Sequence, residues 1–90
     1  MATLLRPDGT TEEVQPANGV SWRLDELQGF VGGYIEIARP RSPLATPGFV
    51  LVVNEEGLLK HLPANAEASL LYGAGIIVGN ALYCDEREID

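Results

Sequence analysis

Residues 24–37, Leu-Asp-Glu-Leu-Gln-Gly-Phe-Val-Gly-Gly-Tyr-Ile-Glu-Ile, constrain the fold more than any other stretch, because the backbone must change type within them. Leu24, Leu27 and Val31 recur at helical spacing, with Phe30 beside Leu27 on the next turn. Gly32 and Gly33 follow, and glycine enters the left-handed backbone that ends a helix without a Cβ penalty. Tyr34-Ile35-Glu36-Ile37 then alternates, so Ile35 and Ile37 share one face of a strand and Tyr34 and Glu36 the other. A short helix that stops and hands the chain directly to a strand belongs to a fold in which helices pack on a sheet.

The remaining segments fill in that plan. Residues 2–6 read as a strand, Pro7-Asp8-Gly9 as a turn, and residues 11–14 as the returning arm of a hairpin. Residues 15–19 form a loop by composition, and Ser21 is the expected N-cap of the first helix. Trp22, at the start of that helix, is expected to cover the edge of the core. Residues 39–48 hold three prolines, which excludes a helix and most strands. The stretch reads as a surface crossing between two strands, although Pro40 to Pro43 also matches the P-x-x-P pattern of polyproline ligands.

Phe49-Val50-Leu51-Val52-Val53 is apolar without alternation, as expected for a central strand or one covered on both faces. Asn54-Glu55-Glu56-Gly57 predicts a type I turn with a left-handed glycine, and residues 58–62 a returning strand that Pro63 ends. Asn65 is placed to cap a second helix over residues 66–72, with Ala68, Leu71 and Tyr72 inward and Gly73 or Gly75 as its stop. Residues 76–78 and 81–83 predict a last strand or strand pair, and residues 85–90 an acidic, frayed tail. The expectation is one α+β domain over residues 1–90: a mostly antiparallel sheet of five or six short strands with two short helices packed on one face. Its parts are an N-terminal hairpin and loop (1–23), a core (24–84) and the tail (85–90).

Composition limits the function classes. Thirteen acidic residues against six basic ones give a formal charge of −7. Nucleic-acid affinity comes largely from Lys and Arg displacing counterions, so direct nucleic-acid binding is not expected. An acidic DNA mimic is the contrary reading, and it meets carboxylates dispersed in pairs along the chain, where such a mimic calls for one dense array. No apolar run approaches the ~20 residues of a membrane span. The N-terminal residues lack a basic start followed by an apolar stretch, which argues against a secretory signal. Cys84 is the single cysteine, so an internal disulfide and a four-cysteine zinc site are excluded, and a cytoplasmic location is expected.

No catalytic set emerges. His61 and Cys84 are each single, and the ordinary readings are a solvent-facing imidazole and a structural thiol. One histidine supplies no paired zinc motif. The carboxylate pairs Glu12-Glu13, Asp25-Glu26, Glu55-Glu56 and Asp85-Glu86 are adjacent in sequence, and neighbours on a strand point to opposite faces. Gly73, Gly75 and Gly79 follow a helix and precede a strand, the reverse of a dinucleotide-binding loop. No metal and no cofactor is expected.

Two stretches taken together, Val31 to Ile37 and Leu51 to Gly57, give the chain a likeness. It resembles the DUF3846 proteins, small uncharacterised domains of phages, plasmids and the bacteria that carry them. Leu62-Pro63-Ala64-Asn65 is similar to that family's Leu-Pro-x-Asn step, and Ile76-Ile77-Val78-Gly79 to its apolar strand ending in glycine. The likeness runs from Leu24 to Tyr83. It implies a context among accessory proteins of mobile elements, and no reaction.

One constellation of residues remains as a candidate binding site. With the helices over the Ile35 and Ile37 face, Tyr34 and Glu36 lie on an open sheet surface, with Asn54 and Glu55 at the end of an adjacent strand. The plain alternative is a solvated sheet face. Gly32, Gly33 and Gly57 are expected to be structural. The leading expectation is a non-enzymatic interaction protein that binds a protein partner through its sheet face or a strand edge, a homodimer being one such arrangement. The alternative is a small-molecule-binding module with its pocket between the glycine break and the Asn54 turn.

Overall fold

A computed structural model describes residues 2–89. Among them, five strands form one antiparallel sheet: β1 (Ala2–Leu5), β2 (Thr11–Val14), β3 (Ile35–Ala38), β4 (Phe49–Asn54) and β5 (Ala81–Asp85). Two helices, α1 (Leu24–Val31) and α2 (Ala66–Tyr72), complete the α+β architecture. The strand order is β2-β1-β5-β4-β3, which puts β5 at the centre and leaves β2 and β3 as edges.

The helices lie on opposite faces of this sheet, not on one. The reason is visible in β4. Val50 and Val52 join Trp22, Leu27, Val31, Leu82 and Cys84 in the core under α1. Leu51 and Val53 point the other way and join Leu5, Ala68, Ile77 and Ala81 under α2. An unbroken apolar run on a central strand needs cover on both sides, and one helix supplies each.

The ends of the helices are set by local chemistry. Asn65 caps α2 by accepting from the Ala68 N–H at 3.1 Å, and Gly73, at φ 70°, ends it. Ser21 does not cap α1. The helix starts after Arg23, and Glu26 reaches back to accept the backbone N–H groups of Arg23 (2.9 Å) and Ala17 (3.0 Å). Those two donors hold the Glu26 carboxyl below its usual pKa. Gly32 closes α1 at φ 80°, as expected, whereas Gly33 is not left-handed.

Three further expectations change. Residues 58–62 form no strand: residues 55–61 are turn, with Lys60 N–H donating to Glu56 O (2.9 Å) and Leu62 N–H to Gly57 O (3.0 Å). β4 already pairs with β3 on one edge and β5 on the other, so a returning strand has no edge to join. Residues 76–78 make one isolated bridge, Ala64 to Val78, and β5 alone is the last strand. The acidic end is not frayed through residue 89. Glu86–Glu88 form a 3₁₀ turn, Trp22 N–H donates to Glu88 O at 2.7 Å, and Ile89 packs on the α1-side core. The final residue of the expected tail, Asp90, lies outside the described residues.

Trp22 is fully buried and meets Phe30 edge to face at 5.3 Å between ring centroids. The proline-containing loop crosses the surface from β3 to β4, tied down by Arg41 N–H to Tyr72 O (2.7 Å) and Thr46 N–H to the Tyr83 hydroxyl (2.6 Å).

Candidate interaction surface

The four candidate residues part company at Asn54. Its side chain is buried: Nδ2 donates to Val31 O at 3.0 Å, and Oδ1 accepts the Glu56 N–H at 2.7 Å. Asn54 therefore clamps the end of β4 to the end of α1. Both of its polar atoms have partners within the chain. The space beside it is also filled, since a Cβ on Gly33 would sit 3.1 Å from Asn54 Nδ2 and from Lys60 Nζ.

Tyr34, Glu36 and Glu55 remain exposed. The Tyr34 carbonyl accepts the Glu55 N–H at 2.9 Å, which fixes these two residues side by side at the start of the β3–β4 pair. Glu36 lies opposite Val53 in the register and so faces the α2 side. Among the described residues neither Glu36 nor Glu55 has an ion-pair partner. The carboxylate of Glu56, by contrast, lies 3.9 Å from Lys60 Nζ.

Glu36, Asn54 and Glu55 line one cavity of about 350 Å³ together with Leu58, Leu59 and Ile76. Those three apolar side chains are 74, 79 and 70% exposed. A second cavity of about 280 Å³ shares Glu36, Val53, Ile76 and Ile77 with the first and continues to Arg39 and Arg41. The two form one groove along the α2-side face of β3. Arg39 is held by Glu86 at 2.6 Å, and each partner favours the charged form of the other.

Sequence reasoning missed Leu58, Leu59 and Ile76, because it assigned them to strands. One signal was present: two adjacent leucines on a strand cannot both face the core.

Gly57 is structural, as expected, for a different reason. Its φ is not positive; it is buried, and a Cβ there would meet Val78 Cγ2 at 2.7 Å. Cys84 is buried in the α1-side core, and that burial, followed by the nearby Glu88 and Asp85 charges, pushes its thiol up to about 12. It is not presented as a nucleophile. His61 is exposed in the turn at φ 54°.

Another depression, about 540 Å³, is lined by Arg6, Asp8, Leu62, Pro63 and Asn80 among others. Its charged groups already have partners: Arg6 pairs with Glu12, and Asp8 accepts from the backbone and hydroxyl of Thr10.

The family model for DUF3846, a domain of unknown function, matches residues 1–90. The chain belongs to the DUF3846 family. The match takes in the β1–β2 hairpin and the C-terminal residues as well as residues 24–83. In this DUF3846 chain the motif residues Gly32, Asn54, Gly57, Asn65 and Gly79 all hold elements together. Neither a curated protein nor a solved structure matches the chain. No helix among the described residues is long and apolar enough to cross a membrane.

Proposed function

We propose that this DUF3846 chain is a non-catalytic interaction protein of a phage or other mobile element, acting in the cytoplasm and docking a protein partner on the groove beside β3. The observation that carries the reading is the convergence of Leu58, Leu59 and Ile76, each at least 70% exposed, on one cavity. A single exposed leucine is ordinary on a protein surface; three around one groove, rimmed by Glu36 and Glu55, are what a partner covers. An apolar centre with a polar rim is the usual anatomy of a protein interface. The small-molecule reading fares worse, because its expected pocket beside Gly33 is occupied by Asn54 and Lys60.

The test is native mass spectrometry of the chain purified gently from a bacterial host, compared with a Leu59→Asp/Ile76→Asp variant. The wild type should carry a partner whose mass is not a multiple of its own, and the variant should appear bare while keeping the buried-Trp22 fluorescence of the folded state. A complex that survives in the variant contradicts the reading. An added mass of a few hundred daltons in both proteins favours the ligand module instead.

A further inference from the structure

The two edges of the sheet are defended differently. β2 carries adjacent exposed carboxylates, Glu12 and Glu13, with Glu12 opposite Leu4 and paired with Arg6. Charged side chains along an edge discourage strand pairing. β3 carries Ile35 and Ile37, half-buried on the α1 face, around Glu36 alone. The backbone of β3 also has a fixed orientation. Antiparallel pairs alternate between hydrogen-bonded and open positions. The Glu55 N–H bond to Tyr34 O makes Tyr34 a bonded position, and the same period makes Glu36 one. The N–H and C=O groups of Ile35 and Ile37 then point away from β4, to the open side.

Resting on the docking reading above, we propose that the partner enters as an extended segment added to β3 as a sixth strand, with a Lys or Arg opposite Glu36 and apolar residues opposite Ile35 and Ile37. Strand addition satisfies the outward backbone groups and gives the segment its register. The apolar positions extend the α1-side core past Ile35 and Ile37. The basic position falls on the α2 face, where its stem lies along the Leu58, Leu59 and Ile76 groove and its charge meets Glu36 and Glu55. The formal charge of −7 favours the same sign of partner.

A second copy of the chain fits this edge poorly. Pairing β3 with β3 in antiparallel sense, with both Ile35 and Ile37 bonded across and the sheet faces kept, sets Glu36 directly against Glu36. Like charges so placed destabilise the pair.

Two synthetic octapeptides test the proposal: one alternating valine with lysine, the other valine with glutamate. Each is titrated into the wild type and into a Glu36→Lys variant, with residue-resolved amide exchange as the readout. The lysine peptide should bind the wild type about five-fold or more tighter than the glutamate peptide, and Glu36→Lys should reverse the order. Exchange at Ile35 and Ile37 should be fast in the free protein and slow on binding, with Glu36 unchanged. Binding without new protection at Ile35 and Ile37 overturns strand addition and indicates non-specific attraction to an acidic protein. The same holds if Glu36→Lys leaves the peptide preference as it was, or if neither peptide binds. In any of those cases, a natural complex that is still lost in Leu59→Asp/Ile76→Asp leaves the docking reading standing without the added strand.

Discussion

Asn65 does more at the scale of a single residue than its place in the sequence announces. Its Oδ1 caps α2, while Nδ2 donates to Leu5 O at 3.0 Å and Gly79 O at 2.9 Å, so one fully buried amide joins α2, the end of β1 and the approach to β5. Asp caps a helix as well as Asn does. Asn65→Asp keeps the capping acceptor but replaces the Nδ2 donor with an oxygen facing two buried carbonyls. We expect it to lower unfolding free energy by ~2–4 kcal/mol in a urea titration, whereas a residue that only caps would tolerate it. Glycines separate in the same way. Gly57→Ala meets Val78 Cγ2 and should cost ~1–3 kcal/mol by overpacking, most of it recovered when Val78→Ala is added. Gly32→Ala should be unaffected by any neighbour, because its cost of about 1 kcal/mol comes from φ +80° with open space around it.

Elements that follow from local chemistry were legible in the sequence. The β1–β2 hairpin, the glycine stop after α1, the Asn65 cap and the full span of α2 all follow from residues within a turn of one another. What was not legible depended on distant chain. The side of the sheet taken by each helix is not encoded in Leu27 and Val31 or in Ala68, since either stripe packs on either face. Only the unbroken run in β4 carried that information, by requiring cover on both sides. Residues 58–62, between a turn signal and Pro63, read as a returning strand but find both edges of β4 taken. The candidate site was half legible for the same reason: Glu36 and Glu55 were identified, Asn54 turned inward, and the exposed leucines appeared only once the turn displaced the strand. The C-terminal residues give the element-scale prediction. Removing residues 86–90 deletes the Glu88 acceptor of the buried Trp22 N–H and the Ile89 packing. Urea denaturation should show a loss of ~2–4 kcal/mol. A frayed acidic tail would give no change, or a gain from reduced self-repulsion.

Charge sets the behaviour of the whole molecule. At neutral pH the formal charge of −7 opposes compaction, and acidification toward the pI of about 4.5 relieves it. Below that, four carboxyls whose folded pKa values are depressed act in the opposite sense. Asp85 is held at about 2, chiefly by the Arg87 side chain, Glu86 is lowered by Arg39, Glu26 by the Arg23 and Ala17 backbones, and Asp8 by Thr10. Their stabilisation is complete above the ordinary carboxylate range and is lost as pH falls through the folded values toward 2. Thermal melts followed by Trp22 fluorescence should therefore hold or rise from pH 7 to near 4.5 and fall from there to pH 2. A continued rise below pH 3, where the chain is net positive and repulsion returns, would contradict the account.

The same acidic surface leaves one apolar groove and one lightly defended edge side by side at β3. Docking at that place is the central claim, and its most direct test is residue-resolved hydrogen exchange on the natural complex against the free chain. The account predicts new protection at Ile35 and Ile37 and across residues 55–59, with β2 unchanged. Protection confined to β2, or to the depression lined by Arg6, Leu62 and Asn80, would contradict it.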